Sequence, residues 1–419
     1  MVNNILFVNC GTELRTRFNR EPPNGLLTMA ASLRNKGYNV CIYDVIREGD
    51  FIGKYEKYIK KYGGDFSTIG ITSLTNTYSI AKAVASISKK HTDARVIYGG
   101  PHATFTPEES LRDTDEIDAI YCGEADLEIV SLVEQPEKTP NTFYRYRGKP
   151  VFTGYKPPPD LSEIPLPDRS ILENSYDVAS VIINRGCPFR CIYCVRQKLF
   201  SNVRFKPLYM VREEIEDILN YNYKFINFYD NINISRDYFS KFCDLLREMR
   251  IDIPFGCELR ADRLSLPEAK QLRRAGCSVI GVGVESGVES VVRSGGKYQK
   301  PELVRKGIRN AKKAGLNVQA YFVIGLPGET WKSFYKTLEY VEKLGLVENE
   351  DKINFFIATP YHGSELREKS CAFGIKILSN NYDLYDTYHA VISTRILGQN
   401  ELIEMKNIAK SIEKRFWGE

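Results

Sequence analysis

Val181-Ile-Ile-Asn-Arg-Gly-Cys187-Pro-Phe-Arg-Cys191-Ile-Tyr-Cys194 passes from a β-branched run, through a glycine, into three cysteines spaced by four and by three. The first part reads as a strand, the second as a tight loop leaving its carboxyl end. Three thiolates on one loop can hold three corners of a cubane 4Fe–4S cluster, a group that usually takes four cysteines. One iron then lacks a protein ligand, and an open coordination position separates a reactive metal site from a closed structural one. Zinc is the alternative, and it needs a fourth Cys or His close by. No His lies between His102 and His362, and the next Cys is Cys243.

Outward from this loop, β-branched runs alternate with helical patterns. Strands fit 179–183, 225–229, 253–258, 278–284, 318–324 and 353–358, with helices such as 211–221, 238–250, 301–314 and 331–344 between them. Six strand–helix units suit a partial (β/α)6 barrel over 178–365, a fold that carries its chemistry on the loops after strand ends. Residues 366–419 read as a short helical carboxyl-terminal segment, with a helix at 400–416. Upstream, 1–135 show strands at 5–8, 40–43, 68–72, 95–98 and 117–121, and helices at 25–36, 51–62 and 78–90. This alternation predicts an α/β, Rossmann-like, doubly wound parallel sheet, with ligands beyond the carboxyl ends of its strands. Between the two domains, 136–177 read as a connector, since Pro157-Pro-Pro159 and Ile164-Pro-Leu-Pro167 suit neither helix nor inner strand.

Composition narrows the classes. A hydrophobic share of 43% and a charged share of 26% are those of a globular chain, and 419 residues suffice for two cores. The formal charge of +5 is spread along the chain, with no basic cluster interleaved with aromatics, so nucleic acid is not a partner. No apolar run reaches the ~18 residues of a membrane span, and Met1-Val-Asn-Asn opens no secretory signal. Ten cysteines in this setting read as reduced thiols and cluster ligands in a cytoplasmic protein. Apart from the trio, Cys10, Cys41, Cys122, Cys243, Cys257, Cys277 and Cys371 show no clustered spacing and read as isolated thiols.

The pattern Cys187-x-x-x-Cys191-x-Tyr193-Cys194 resembles that of the radical S-adenosylmethionine superfamily, with Tyr193 the aromatic residue before the third cysteine. The resemblance implies that S-adenosylmethionine chelates the open iron through its amino and carboxylate groups. An electron from the reduced cluster, delivered by a flavodoxin- or ferredoxin-type donor, then yields a 5′-deoxyadenosyl radical that takes hydrogen from an unactivated carbon. Asp230 and Asn231, after the second barrel strand, resemble the loop that holds the cofactor's amino group; a turn is the alternative. Glu258 and Arg260 share one side of the third strand's end and resemble residues near the cofactor's ribose or carboxylate, unless they form an ordinary salt bridge. Gly281-Val-Gly283-Val-Glu285-Ser-Gly287 resembles the glycine-rich strand beside the adenosine, and Gly325 belongs to a turn similar to one near adenine. His362 stands where such relatives carry proline, a departure that is either harmless or places an imidazole near the substrate.

In the first domain, 22–37, Tyr98-Gly-Gly-Pro-His-Ala-Thr-Phe105 and Cys122-Gly-Glu124 resemble the cobalamin-binding type of Rossmann-like domain found in part of this superfamily. The resemblance implies corrin contacts from Ser73, Thr75, Asn76, Gly99, Gly100 and Glu124. The Asp-x-His-x-x-Gly motif whose imidazole ligates cobalt is absent, and His102 reads as a helix-entry residue. A domain that keeps the fold without a corrin is the alternative. The combined resemblance implies a cobalamin-dependent methyltransferase that builds a C–C bond at an sp3 carbon of a small-molecule substrate through methylcobalamin. The substrate cavity would lie between the two domains. Cyclisation, rearrangement or oxidation with cobalamin unused is the alternative reaction. A methylthiotransferase and an iron–sulfur sensor fit less well.

Overall fold

The computed structural model describes residues 4–11, 21–44, 50–172 and 176–418, with the side chain of Asp230 outside the described part. Residues 1–176 with 199–201 form one compact unit, and 177–198 with 202–419 another.

In the first unit the aliphatic runs become β1 (Asn4–Asn9), β2 (Asn39–Asp44), β3 (Phe66–Thr72), β4 (Arg95–Gly99) and β5 (Ala119–Tyr121). All five are parallel, in the order β2-β1-β3-β4-β5. Parallel strands need crossovers, and the helices that supply them bury an apolar stripe on the sheet. Leu26, Ala30 and Leu33 of helix Asn24–Arg34 meet Ile5, Phe7 and Ile97 in this way. The strand order reverses between β1 and β3, so this topology offers a ligand crevice outside their carboxyl ends.

The sheet runs past residue 135. β6 (Thr142–Tyr146) and β7 (Lys149–Phe152) add an antiparallel hairpin in the stretch read as connector. Its two-residue loop is Arg147-Gly148, with φ of 50° and 77°, the geometry of a primed turn without the Asn-Gly or Asp-Gly that announces one. The prolines at 157–159, 165 and 167 follow the hairpin, in a stretch with no strand or helix.

The second unit starts with β8 (Val178–Val181). Next come β9 (Asn184–Arg185) and β10 (Arg204–Phe205), which pair antiparallel and bracket the cysteine loop between them. β11 (Phe225–Asn231), β12 (Phe255–Leu259), β13 (Cys277–Glu285), β14 (Asn317–Ile324) and β15 (Lys352–Ile357) complete a six-stranded sheet with β8. Every pairing in it is parallel. Phe228, Phe242 and Phe255 pack edge to face between sheet and helices, with centroids 4.9 to 6.5 Å apart. Cys257 and Cys277, which spacing alone leaves isolated, meet here with sulfurs 4.0 Å apart, because neighbouring parallel strands turn both side chains to one face. They are buried thiols of the core.

β15 is the edge of the partial barrel, and an open edge leaves backbone groups unpaired. Helix Gln399–Trp417 covers it with side chains. Lys406 Nζ donates to the Phe355 carbonyl at 2.6 Å, Glu413 accepts from the Phe355 N–H at 2.6 Å, and Trp417 Nε1 donates to the Ile353 carbonyl at 3.0 Å. Between β15 and this helix the chain also forms a short ladder of β16 (Ile375–Ile377) and β17 (Ile392–Thr394), so the terminal segment is not helical throughout. Among the described residues no helix is long and apolar enough to cross a membrane.

Candidate active site

Cys187, Cys191 and Cys194 line one cavity of about 320 Å3 at the carboxyl ends of β11–β15. The loop that carries them is held at two points: Ile192 donates its N–H to the Gly295 carbonyl at 3.0 Å and accepts from the Leu366 N–H at 2.7 Å. Burial pushes the Cys191 thiol up to about 11, while the nearby Lys297 ammonium favours the thiolate. Desolvation of this kind keeps the free Cys191 thiol protonated, and the charge of a bound metal is what would make it a thiolate. No three His, Cys, Asp or Glu side chains among the described residues close tightly on a single ion. A cubane asks for something else, one thiolate to each of three irons around a shared cavity, and that is the donor set present.

The same cavity is lined by Tyr193, Asn231, Glu258, Arg260, Gly283 and Glu285. Tyr193 is half-buried, and its hydroxyl lies against both Glu285 and Cys191; desolvation first, then these neighbours, hold it well above the usual phenol range. Glu258 and Arg260 do share one side of β12. Arg260 is also committed as a salt bridge, donating to both carboxylate oxygens of Asp262 at 3.0 and 2.8 Å, and its guanidinium stacks 4.1 Å from Phe189 of the cysteine loop. Glu285 takes a left-handed backbone, φ 66°, where the β13–β14 register shifts. Asp230 belongs to β11, but its side chain lies outside the described residues.

Gly325 is not brought to the cavity. Its N–H donates to Glu329, and the position of a Cβ would face Leu402 of the terminal helix. His362 is likewise absent from the wall; its Nε2 meets the Tyr382 hydroxyl at 2.7 Å, and burial, then Arg367, pushes its pKa down to about 4. Residues that sequence reasoning passed over do line the cavity: Lys297, Tyr321, Phe356 and Thr387. Thr387 has φ 70°, unusual for a β-branched residue, and its buried hydroxyl meets no partner among the described residues. The sequence offered only Gly295-Gly296 as a turn signal, and nothing in it announced that Lys297 would be buried.

In the first unit, Gly99 closes β4, and Ser73, Thr75, Asn76, Gly100 and Glu124 follow the carboxyl ends of β3, β4 or β5. Ser73 turns inward, its hydroxyl 2.7 Å from that of Tyr98, and Thr75 meets His102 Nδ1 at 3.3 Å. His102 lies in the short helix Pro101–Phe105. Gly100 has φ 97°, and a Cβ there would come within 2.5 Å of Thr72 Oγ1, so only glycine makes this turn beside the switch point. Rim, turn and strand order fit a flat cofactor laid over the carboxyl ends. At the amino-terminal rim lies a larger groove of about 660 Å3, in which Lys89 pairs with Asp118 at 2.6 Å.

Residues 181–341 match the family described as Radical SAM superfamily, and residues 14–133 match the B12 binding domain. A Pyrococcus horikoshii protein named "Uncharacterized methyltransferase PH0819" is 30% identical over 89% of this chain and 83% of its own length. The anaerobic magnesium-protoporphyrin IX monomethyl ester cyclase of Rubrivivax gelatinosus is 26% identical over 91% of this chain and 72% of its own length. The radical S-adenosylmethionine methyltransferase TsrM of Kitasatospora setae, solved with cobalamin and a 4Fe–4S cluster bound, superposes with a TM-score of 0.71. It is 15% identical and shares this fold over 90% of the chain and 77% of its own.

Proposed function

The chain belongs to the radical S-adenosylmethionine superfamily, among members with an amino-terminal B12-binding domain, and from that premise we propose that it is a C-methyltransferase acting on an unactivated sp3 carbon of a small molecule. One observation carries the reading: a cavity that gathers the three cysteines of the motif and a doubly wound strand order with its glycine turn occur in the same chain.

Cys187, Cys191 and Cys194 would hold the cluster, and the residues around Gly100 would receive cobalamin. When bound, the cluster and S-adenosylmethionine supply a hydrogen-abstracting radical, and cobalamin supplies the methyl group. The chain's own part is to bind, orient and exclude water. Tyr193, Glu258 and Glu285 surround the space beside the cluster with acceptors for an ammonium or ribose hydroxyls. Tyr321 and Phe356, with ring centroids 6.1 Å apart, wall it with apolar surface. A flavodoxin- or ferredoxin-type donor and the reducing cytoplasm suit a cluster of this kind.

The test is an anaerobic reaction with candidate substrates, scoring 5′-deoxyadenosine, S-adenosylhomocysteine and a mass gain of one methyl group. The cyclase among the relatives favours a second reading, ring closure or oxidation without methyl transfer. 5′-Deoxyadenosine formed without S-adenosylhomocysteine would select that second reading.

A further inference from the structure

Residues 294–299, at and beyond the end of helix Glu289–Ser294, touch the cysteine loop and the ends of β12, β13 and β14. Gly295 accepts the Ile192 N–H of the cysteine loop. Gly296, φ 71°, lets that loop come so close that a Cβ would lie 2.5 Å from the Arg190 carbonyl oxygen. Ser294 Oγ donates to the Pro327 carbonyl at 2.5 Å, on the turn after β14. Arg260 Nη2 donates to the Tyr298 carbonyl at 3.3 Å, from the end of β12.

Two side chains of the segment then clasp the bulge at the end of β13. Lys297 Nζ donates to the Gly283 carbonyl at 2.7 Å and to Glu285 Oε1 at 2.6 Å. Gln299 Nε2 donates to the Gly283 carbonyl at 3.0 Å and the Val284 carbonyl at 3.1 Å. Both are more than nine-tenths buried. A buried ammonium is stable only with partners of this quality, and a buried carboxylate left without it is strongly destabilised. The clasp also holds Glu285 in a left-handed backbone that a non-glycine residue does not keep unaided.

We propose that residues 294–299 form the positioning element that sets the cluster loop and the cofactor face of β13 in one geometry, with Lys297 and Gln299 the positioning residues for S-adenosylmethionine. The inference rests on the radical S-adenosylmethionine reading above. Lys297 fixes where the Glu285 carboxylate points, and Gln299 fixes the backbone on which it stands. The two glycines transmit that position to the cysteines.

The test uses the full chain, reconstituted anaerobically with iron and sulfide, as wild type, Lys297→Met and Gln299→Leu. Iron per chain, thermal midpoint and S-adenosylmethionine affinity are measured, the last by titration followed through the electron-resonance spectrum of the reduced cluster. Lys297→Met is expected to keep its iron, bind S-adenosylmethionine about ten-fold more weakly or worse, and show an altered spectrum at saturation. Gln299→Leu is expected to lose about three-fold or more. Wild-type affinity and spectrum in the iron-loaded fraction of both variants would overturn the inference, even if their thermal midpoints fall. Should Lys297→Met not retain iron, Gln299→Leu decides by the same criterion. A wild-type protein that holds its cluster yet neither binds nor cleaves S-adenosylmethionine defeats the underlying reading, whereas tight binding that both variants share defeats only the positioning role.

Discussion

At the residue scale, the cysteine loop is chemically specific and its neighbours are shaped by burial. Cys191→Ala removes one of three thiolates, and iron per chain is expected to fall sharply, with S-adenosylmethionine cleavage lost, by iron assay and product chromatography. Glu329 answers to pH. Burial raises its carboxyl from 4.5 to about 7, with only the Gly325 N–H acting against it. For an acid whose folded pKa is raised, the native state keeps a proton that the unfolded chain has already lost. Stability therefore falls as pH rises from about 4.5 to about 7 and then levels, by roughly 3 kcal/mol in all. Glu329→Gln should flatten this slope in anaerobic denaturant titrations across that range; an unchanged slope would show that the carboxyl is not the group responsible. The cysteines were legible because their chemistry is written in spacing. Lys297 and Thr387 were not, since a lone lysine or threonine reads as surface until packing buries it.

At the element scale, periodicity located the eleven parallel strands of the two large sheets and most of the long helices, and missed the short antiparallel strands. The expected strand 225–229 is β11, Phe225–Asn231, and the expected helix 331–344 is Trp331–Glu342, capped by Thr330 accepting from the Ser333 N–H. The hairpin of β6 and β7 was missed because Arg147-Gly148 turns without the usual turn residues, and β16 and β17 because three-residue strands have no period to detect. The terminal helix was seen, though not its task of satisfying an edge strand. Lys406→Met takes the cation from Glu413 and the donor from the Phe355 carbonyl, both within 3.0 Å. Because it leaves a carboxylate without its partner, the expected loss is about 3 kcal/mol in denaturant unfolding, and a loss below about 1 kcal/mol would mean that water serves the edge equally well.

At the scale of the molecule, the two cofactor seats belong to separate compact units with separate cores. Loss of one cofactor should therefore spare the other. Gly100→Val, which forces a Cβ onto Thr72 and Ser73, is expected to abolish the corrin absorption of protein prepared with cobalamin while iron per chain stays at the wild-type level. Cys191→Ala should do the reverse. Parallel loss of both in either variant would contradict this independence. The amino-acid order alone determined the two α/β architectures and singled out the three cysteines that line one cavity, because hydrophobic period and cysteine spacing are local properties of a chain. It could not decide that Gly325 and His362 face away from the cavity, that Arg260 is spoken for by Asp262, or that Lys297 clasps Glu285. Those outcomes depend on which groups packing buries together across β12, β13, β14 and the loops beyond them, and burial sets the cost of leaving a charge or a donor unpaired.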